Sequence, residues 1–383
     1  MKILITATYF HPYNSGLSVY ALRVARGLVG LGHEVCVLTS QYDKKLACEE
    51  SLDGVKILRV KVGMKLSKGV LMPGLKAQAR KWVEWADVVN VHMPQFESFV
   101  IAGLAKQLKK LLVVTYHCDL VMSGSWFNRL AGWGTTLLGK RALKQAQVIV
   151  QNTLDYARHS KGLKPYLDKV VEVPTPVVFL ESGPGEKKFF RERFGLAESD
   201  KVIGLAGRVA SEKGYEYLAQ ALPVVLEKYP TARVVHAGNW KGVIGEEAYL
   251  AKVEAMIRPF GDKWKSLGFL SDDDFMRFFA ACDLLVYSSL NATESFGIVQ
   301  IEAMCQGTPV VASDLPGVRQ PVLQTGLGRI VPVRDAAALA EGIISVLDEN
   351  REARIIPESY LRQFEQKKVA ERYQEIFMSL VHR

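Results

Sequence analysis

The chain has 383 residues, 49% apolar and 23% charged, and at about 150 residues per domain that points to two domains. Long disorder, collagen and coiled coil are excluded by this balance. No apolar run reaches ~18 residues, so no membrane-spanning helix is expected. The opening MKILITATYF is polar-flanked and lacks a following small-residue cleavage site, so it reads as a first buried strand rather than a secretory signal. Five scattered cysteines, with no CxxC pair, suit a reducing compartment and predict a cytoplasmic protein. Residues 1–180 carry 24 Lys/Arg against 12 Asp/Glu, a net +12, while residues 181–383 carry 25 against 28, a net −3. The basic half predicts either a polyanionic or membrane-surface partner or a solvated basic face.

In chain order, apolar runs predict strands at 2–6, 34–39, 55–60, 87–91, 111–116 and 147–151. Between the first two, Leu17, Ala21, Val24, Leu28 and Leu31 recur at helical spacing, and Gly32 stands where a C-terminal cap glycine belongs. Residues 173–185 hold Pro174, Pro176, Gly183, Pro184 and Gly185 and read as a hinge. A helical patch at 189–194 follows, then strands at 202–207, 233–237, 283–288 and 309–312. Pro223 should kink the helix after the first of these. The tail, about 358–380, has a helical pattern of mixed charge. Alternating strands and helices predict two doubly wound α/β domains with parallel sheets, facing each other across a cleft.

Several segments carry groups suited to a phosphorylated ligand. In TESFGIVQIEAMCQG a helix should start near Phe296–Gly297 and end at Gly307, before Pro309. Its free N-terminal amides make an anion site. Glu294 would lie in the loop before it and Glu302 two turns in, as acceptors for sugar hydroxyls; the plain alternative is two surface glutamates on a core helix. In GLAGRVASEKG, Arg208 and Lys213 follow a strand end and could clamp a diphosphate, or be ordinary surface cations. Asn14, Ser15 and Gly16 end the first strand-to-helix loop, where backbone can approach a phosphate or sugar. There is no GxGxxG, so the nicotinamide-dinucleotide fingerprint is missing.

His117 follows the strand at 111–116, and His92 lies at an equivalent strand end. Both positions fall in the usual ligand crevice of a parallel sheet, although a lone histidine is more often structural. Asp272–Asp274 contain a DxD pair, yet Ser271 before them makes helix capping the better reading. No metal-binding cluster of histidines is evident. Two basic, aromatic stretches have the composition of interfacial helices, or of helices packed on their own domain. One holds Lys76, Arg80, Lys81, Trp82 and Trp85; the other holds Trp126, Phe127, Arg129, Leu130, Trp133, Leu137, Leu138, Lys140, Arg141 and Lys144.

Taken together, these segments resemble the family-4 retaining glycosyltransferases of the GT-B fold over essentially the whole chain. ESFGIVQIE resembles that family's E-x7-E signature, AGRVASEKG its G-R-x(4–5)-K-G loop, TYHCD its strand-end histidine, and Asn14–Gly16 its N-terminal Gly-Gly loop. The departure is Ser15 in place of the first glycine; it either tightens the loop or adds a hydroxyl near the acceptor.

The resemblance implies a nucleotide-diphosphate sugar donor, UDP- or GDP-linked, with no separate cofactor and no metal. Arg208 and Lys213 would hold its diphosphate, with Gly16 approaching from the other domain. Glu294 would contact the donor sugar, and Ser295, Phe296, Gly297 and Ile298 would cradle sugar and phosphate. Glu302 would bind the ribose, while Phe269, Leu270 and Ser271 would border the base. His117 would lie beside the reacting sugar, with Asn14, Ser15, His92 and His117 on the acceptor side. Catalytic roles would then fall to His117, Arg208, Lys213 and Glu294.

The implied domains are an acceptor-binding unit over 1–175, a donor-binding unit over 176–358, and a tail over 359–383 crossing back to the first. The implied reaction moves a hexose with retention of configuration onto a carbohydrate or lipid-linked acceptor, by same-face attack in which the leaving phosphate takes the acceptor's proton. Domain closure would exclude water. The expected location is the cytoplasm, at the inner face of the plasma membrane if the basic stretches bind lipid; no nucleic-acid partner is expected. A nucleotide-sugar epimerase of the same fold and a non-catalytic nucleotide-sugar-binding subunit are the competing readings.

Overall fold

A computed structural model of the protein describes residues 1–66, 69–121, 126–179, 184–243, 245–349 and 356–381. The chain forms two compact units, Met1–Val177 together with Arg362–Arg383, and Val178–Leu361.

The first unit is built on an eight-stranded sheet. Its strands are β1 (Lys2–Thr6), β2 (Glu34–Gln41), β3 (Glu49–Leu52), β4 (Val55–Lys61), β7 (Val88–Met93), β8 (Leu111–Tyr116), β9 (Val148–Gln151) and β10 (Val170–Glu172). A separate hairpin pairs β5 (Met64–Leu66) with β6 (Gly69–Leu71). Spatial order in the large sheet is β10-β9-β8-β7-β1-β2-β4-β3, all parallel except the antiparallel β3–β4 edge. Central strands run apolar on both faces because helices cover both; Ile3, Leu4, Ile5, Val88, Val89 and Val91 are fully buried. Each such side chain contributes about 1.5–3 kcal/mol of burial free energy. The chain leaves β1 for opposite sides of the sheet, so the β1–β7 boundary is a switch point.

The second unit repeats this logic with six parallel strands: β11 (Lys201–Ala206), β12 (Ala232–Ala237), β13 (Trp264–Ser266), β14 (Leu284–Tyr287), β15 (Val310–Ser313) and β16 (Gly328–Val331). Their order is β13-β12-β11-β14-β15-β16, and the switch point lies between β11 and β14.

The helix Gly16–Gly30 starts from Ser15, whose hydroxyl accepts from the Ser18 amide while the Ser18 hydroxyl accepts from the Ser15 amide. That reciprocal capping box commits Ser15 to starting the helix. The tail forms the helices Glu358–Arg362 and Gln366–Val381. The second packs in the first unit, with the Tyr373 hydroxyl 3.1 Å from that of Tyr20.

The helix Tyr215–Lys228 holds Pro223 inside it and buries Leu218, Ala221, Leu222 and Val225. Two expectations need correction. The end of the expected hinge, Pro184 and Gly185, opens the helix Pro184–Arg193, with proline at a first-turn position that needs no N–H; Gly183 lies outside the described residues. The stretch with Trp82 and Trp85 is no free interfacial face: Trp82 is buried, capped by the Lys56 and Lys81 ammonium groups at 4.7 and 5.5 Å, and Trp85 is half-buried against it.

Candidate functional site

In the second unit, the loop after β11 and the loop after β14 bring the sequence motifs together at the switch point. Residues Ser211–Lys213 form a short turn, and Gly214 then takes φ +67° to open the next helix. A Cβ at Gly214 would sit 2.4 Å from the Ser288 carbonyl oxygen, so this loop and the end of β14 approach to a separation only glycine permits. The Ser288 hydroxyl donates to the Lys213 carbonyl at 3.0 Å, and the Leu290 amide to that of Glu212 at 2.9 Å.

Lys213 Nζ lies 2.7 Å from Glu294 Oε1, with 13% and 16% of the two side chains exposed. Tyr287, the last residue of β14, completes the cluster. Its hydroxyl donates to Glu294 Oε2 and receives Lys213 Nζ at 3.4 Å; its ring lies 4.9 Å beneath the same ammonium group. Burial, followed by the Glu294 carboxylate, pushes the Tyr287 pKa well above the ordinary phenol value, so the hydroxyl stays a donor. Gly297, at φ +86°, is the N-cap of the helix Ile298–Cys305. A Cβ there would meet the Tyr287 ring at 2.7 Å.

Arg208 NH2 donates to Glu212 Oε1 at 2.8 Å. Both cations therefore hold carboxylates of their own unit, and an incoming anion must displace or join them. Glu302 is buried just over one turn along the helix. Ser295 and Phe296 are buried as well, while Gly297 and Ile298 keep part of their surface. Gln300 locks the approach to the helix by donating to the carbonyls of Phe296 and Val318 at 2.6 and 2.9 Å. Phe269 is 64% exposed beyond β13, beside half-exposed Leu270. Ser271 caps the helix Asp272–Ala281 by accepting from the Asp274 amide, and Asp274 is engaged by Arg193 and Arg277 at 3.0 and 3.1 Å. The DxD pair thus opens a capped helix, with Asp274 held by two guanidinium groups.

In the first unit, His117 follows β8 and its amide donates to the Met93 carbonyl at 2.8 Å. His92 Nδ1 and His117 Nε2 are 2.9 Å apart. Burial lowers the pKa of His117 to about 3 and that of His92 well below the usual imidazole value. His92 is wholly buried. The expectation that it faces an acceptor is therefore corrected: it touches His117 instead. Asn14 and Gly16 are exposed, and a Cβ at Gly16 would meet nothing within 4 Å, so the fold itself does not demand glycine there. The loop after His117 is held by Asp119, which accepts from the Tyr116 and Ser160 hydroxyls at 2.7 and 2.6 Å and from the Lys161 amide at 2.9 Å.

The sequence reading missed Tyr287, Glu212 and Asp119. Tyr287 looks like one more apolar strand residue; only its position seven before Glu294, at a strand end, hinted at a polar task. Glu212 lies four after Arg208 and was readable as a local ion partner.

Family models match nearly all of this framework. Residues 186–362 match "Glycosyl transferases group 1" and residues 15–176 match "Glycosyl transferase 4-like domain". The chain belongs to the family-4-like, group 1 glycosyltransferases. An uncharacterized glycosyltransferase of Methanocaldococcus jannaschii is 27% identical, the match covering 91% of this chain and 90% of that one. Phosphatidyl-myo-inositol mannosyltransferase of Mycolicibacterium smegmatis is 26% identical, covering 92% and 86%. Among solved structures, Anabaena HepE in complex with UDP and glucose superposes with a TM-score of 0.76 at 19% identity, covering 99% of this chain and 100% of that one. The glycosyltransferase therefore has the GT-B fold of two Rossmann-like units. The epimerase and non-catalytic readings are not favoured by this kinship. No helix among the described residues of the glycosyltransferase is long and apolar enough to cross a membrane.

Proposed function

We propose that this glycosyltransferase moves a hexose from a UDP- or GDP-linked donor to a carbohydrate or lipid-linked acceptor, with retention of configuration and without a metal. The observation that carries the reading is the Lys213–Glu294–Tyr287 cluster at the foot of the Gly297-capped helix. An ammonium group, a carboxylate and free helix-terminal amides are what a sugar diphosphate presents partners for. In this reading Arg208, Lys213 and the amides after Gly297 neutralise the departing diphosphate, the task a metal performs elsewhere. Glu294 grips the donor sugar's hydroxyls, and Glu302 the ribose. Phe269 offers a face for the base. His117, Asn14 and Ser15 serve the acceptor side, and the open space at Gly16 lets a phosphate approach. The leaving phosphate takes the acceptor's proton.

HepE's complex with UDP and glucose favours a UDP-hexose; the mannosyltransferase of phosphatidyl-inositol favours a lipid-linked acceptor. Contact with an anionic membrane surface is part of the proposal. On the helix Trp126–Gln145, Trp133 (64% exposed) and Leu137 stand beside exposed Lys140, Arg141 and Lys144, an apolar and basic face. The side chains of Trp126, Phe127, Arg129 and Leu130 lie outside the described residues.

The test is a transfer assay with UDP- and GDP-hexoses against soluble and lipid-linked acceptors. Lys213→Ala and Glu294→Ala should each lose transfer by at least about a hundredfold, the scale of one charged contact made in the transition state. Full activity in both variants would refute the reading, as would donor turnover that proceeds without any acceptor to a rearranged sugar nucleotide.

A further inference from the structure

His92 and His117 form a closed pair whose proton bookkeeping has two solutions. The register of β7 on β8 sets His92 opposite Thr115, and His117 follows two residues later. Their rings stand 5.1 Å apart at 32°. Tyr20, from the helix Gly16–Gly30, covers both, edge-on to His117 at 4.9 Å and to His92 at 6.0 Å. Its hydroxyl is turned to Tyr373, whose own hydroxyl lies 2.9 Å from that of Thr115; Thr115 in turn donates to Asn90 Oδ1 at 2.9 Å. The phenol is thus spent elsewhere and offers the imidazoles only its ring.

One proton lies between His92 Nδ1 and His117 Nε2. If His117 donates it, His92 must carry its own proton on Nε2, which is buried and has no hydrogen-bond partner among the described residues. If His92 donates it, that same Nε2 is a bare lone pair. An orphaned N–H is the rarer and costlier of the two in a protein interior. The second solution then places the proton of His117 on Nδ1. That edge of the ring makes no hydrogen bond with any described residue, and His117 retains 8% of its surface.

We propose that His92 is a positioning residue that fixes His117 as a neutral imidazole protonated at Nδ1, so that His117 meets its substrate as a hydrogen-bond donor and never as the acceptor's base. This rests on the transferase reading above for its purpose, but not for its test. A fixed donor suits an oxygen of the reacting sugar or phosphate, and it leaves the acceptor's proton to the departing phosphate. Among the described residues, Tyr20 from its helix faces both rings, and the Gln151 amide is turned to backbone, donating to the His117 carbonyl at 3.5 Å and accepting from the Thr153 amide at 3.0 Å. Tyr20 is itself kept neutral by burial. No acidic or basic side chain among the described residues is hydrogen-bonded to either ring, so nothing supports an imidazolium.

The experiment is long-range proton–nitrogen NMR of the uniformly ¹⁵N-labelled full chain from about pH 6 to about pH 8, spanning the ordinary histidine midpoint. His117 is assigned by comparison with His117→Gln. The native protein should show His117 protonated at Nδ1 only, with no titration. His92→Phe should move the proton toward Nε2, and His92→Asn, whose amide can donate in place of Nδ1–H, should restore the native pattern. A native His117 protonated at Nε2, or titrating in this range, overturns the proposal; so does an unchanged pattern in a folded His92→Phe. Should His92→Phe not fold, the native spectrum and His92→Asn still decide. No substrate enters the measurement, so failure of the transferase reading would leave this result standing, and the reverse.

Discussion

Acid should loosen the second unit through one buried histidine. His236, at the end of β12, is fully buried. Its Nε2 donates to the Gly207 carbonyl at 2.7 Å, and its Nδ1 accepts from the Ser266 hydroxyl at 3.1 Å. It therefore anchors the residue immediately before Arg208. Burial lowers its pKa to about 4, against a small upward pull from the Gly207 hydrogen bond. In the unfolded chain the midpoint is about 6.5. Below that pH the unfolded state takes up a proton that the folded state refuses. Stability is thus complete above about pH 6.5 and is lost as pH falls toward the folded midpoint.

Between about pH 7.5 and about pH 5 the loss from His236 is about 2 kcal/mol. The assay is urea denaturation at both pH values, read by hydrogen exchange in peptides from β11 so that the second unit reports by itself. His236→Gln keeps an amide donor without a titrating group and should flatten the pH dependence by about that amount. An equally steep acid loss in His236→Gln would refute the reasoning. The first unit is a poorer place to look. His92 and His117 act there in the same sense, but burial raises the pKa of Glu97, which binds its proton more tightly when folded and stabilises as pH falls.

Removing the hydroxyl in Tyr287→Phe takes one donor from Glu294 and leaves its ion pair with Lys213. Sugar-bearing donor should bind about tenfold more weakly, the scale of a hydrogen bond to a charged group, while nucleoside diphosphate without sugar is little affected; calorimetry compares the two. Gly297→Ala, at φ +86° and against the Tyr287 ring, should destabilise the second unit by about 1–3 kcal/mol and weaken donor binding, read by thermal shift with and without nucleotide. Trp133→Ser with Leu137→Ser should reduce binding to anionic liposomes at low salt, and added salt should do the same in the native protein; vesicle sedimentation measures both.

Much of the fold was legible where local and tertiary preferences agree. β1 and β8 stand where their apolar runs predicted them. The helix after Gly297 occupies Ile298–Cys305, and Ser271 caps as its side chain suggested. The short β10, β13 and β16 strands were not anticipated. Each has three or four residues and takes its extended form from pairing with a neighbour already in place.

In the site, the charged partners could be named from motif spacing, but not what already occupies them. That Arg208 rests on Glu212, and Lys213 on Glu294 and Tyr287, depends on how loops after β11 and β14 meet. Gly214 sets that meeting by admitting the Ser288 carbonyl where a Cβ would stand. His92 misled for a similar reason. A strand end normally opens into the crevice, but here the His117 and Tyr20 rings close over it.

The most direct test is a structure of the protein with UDP-hexose or GDP-hexose bound, whichever raises its melting temperature more. The account predicts the diphosphate within hydrogen-bond reach of Arg208 and Lys213, the sugar hydroxyls on Glu294, and the ribose on Glu302. A nucleotide seated away from those four side chains, with the Lys213–Glu294 pair untouched, would contradict it.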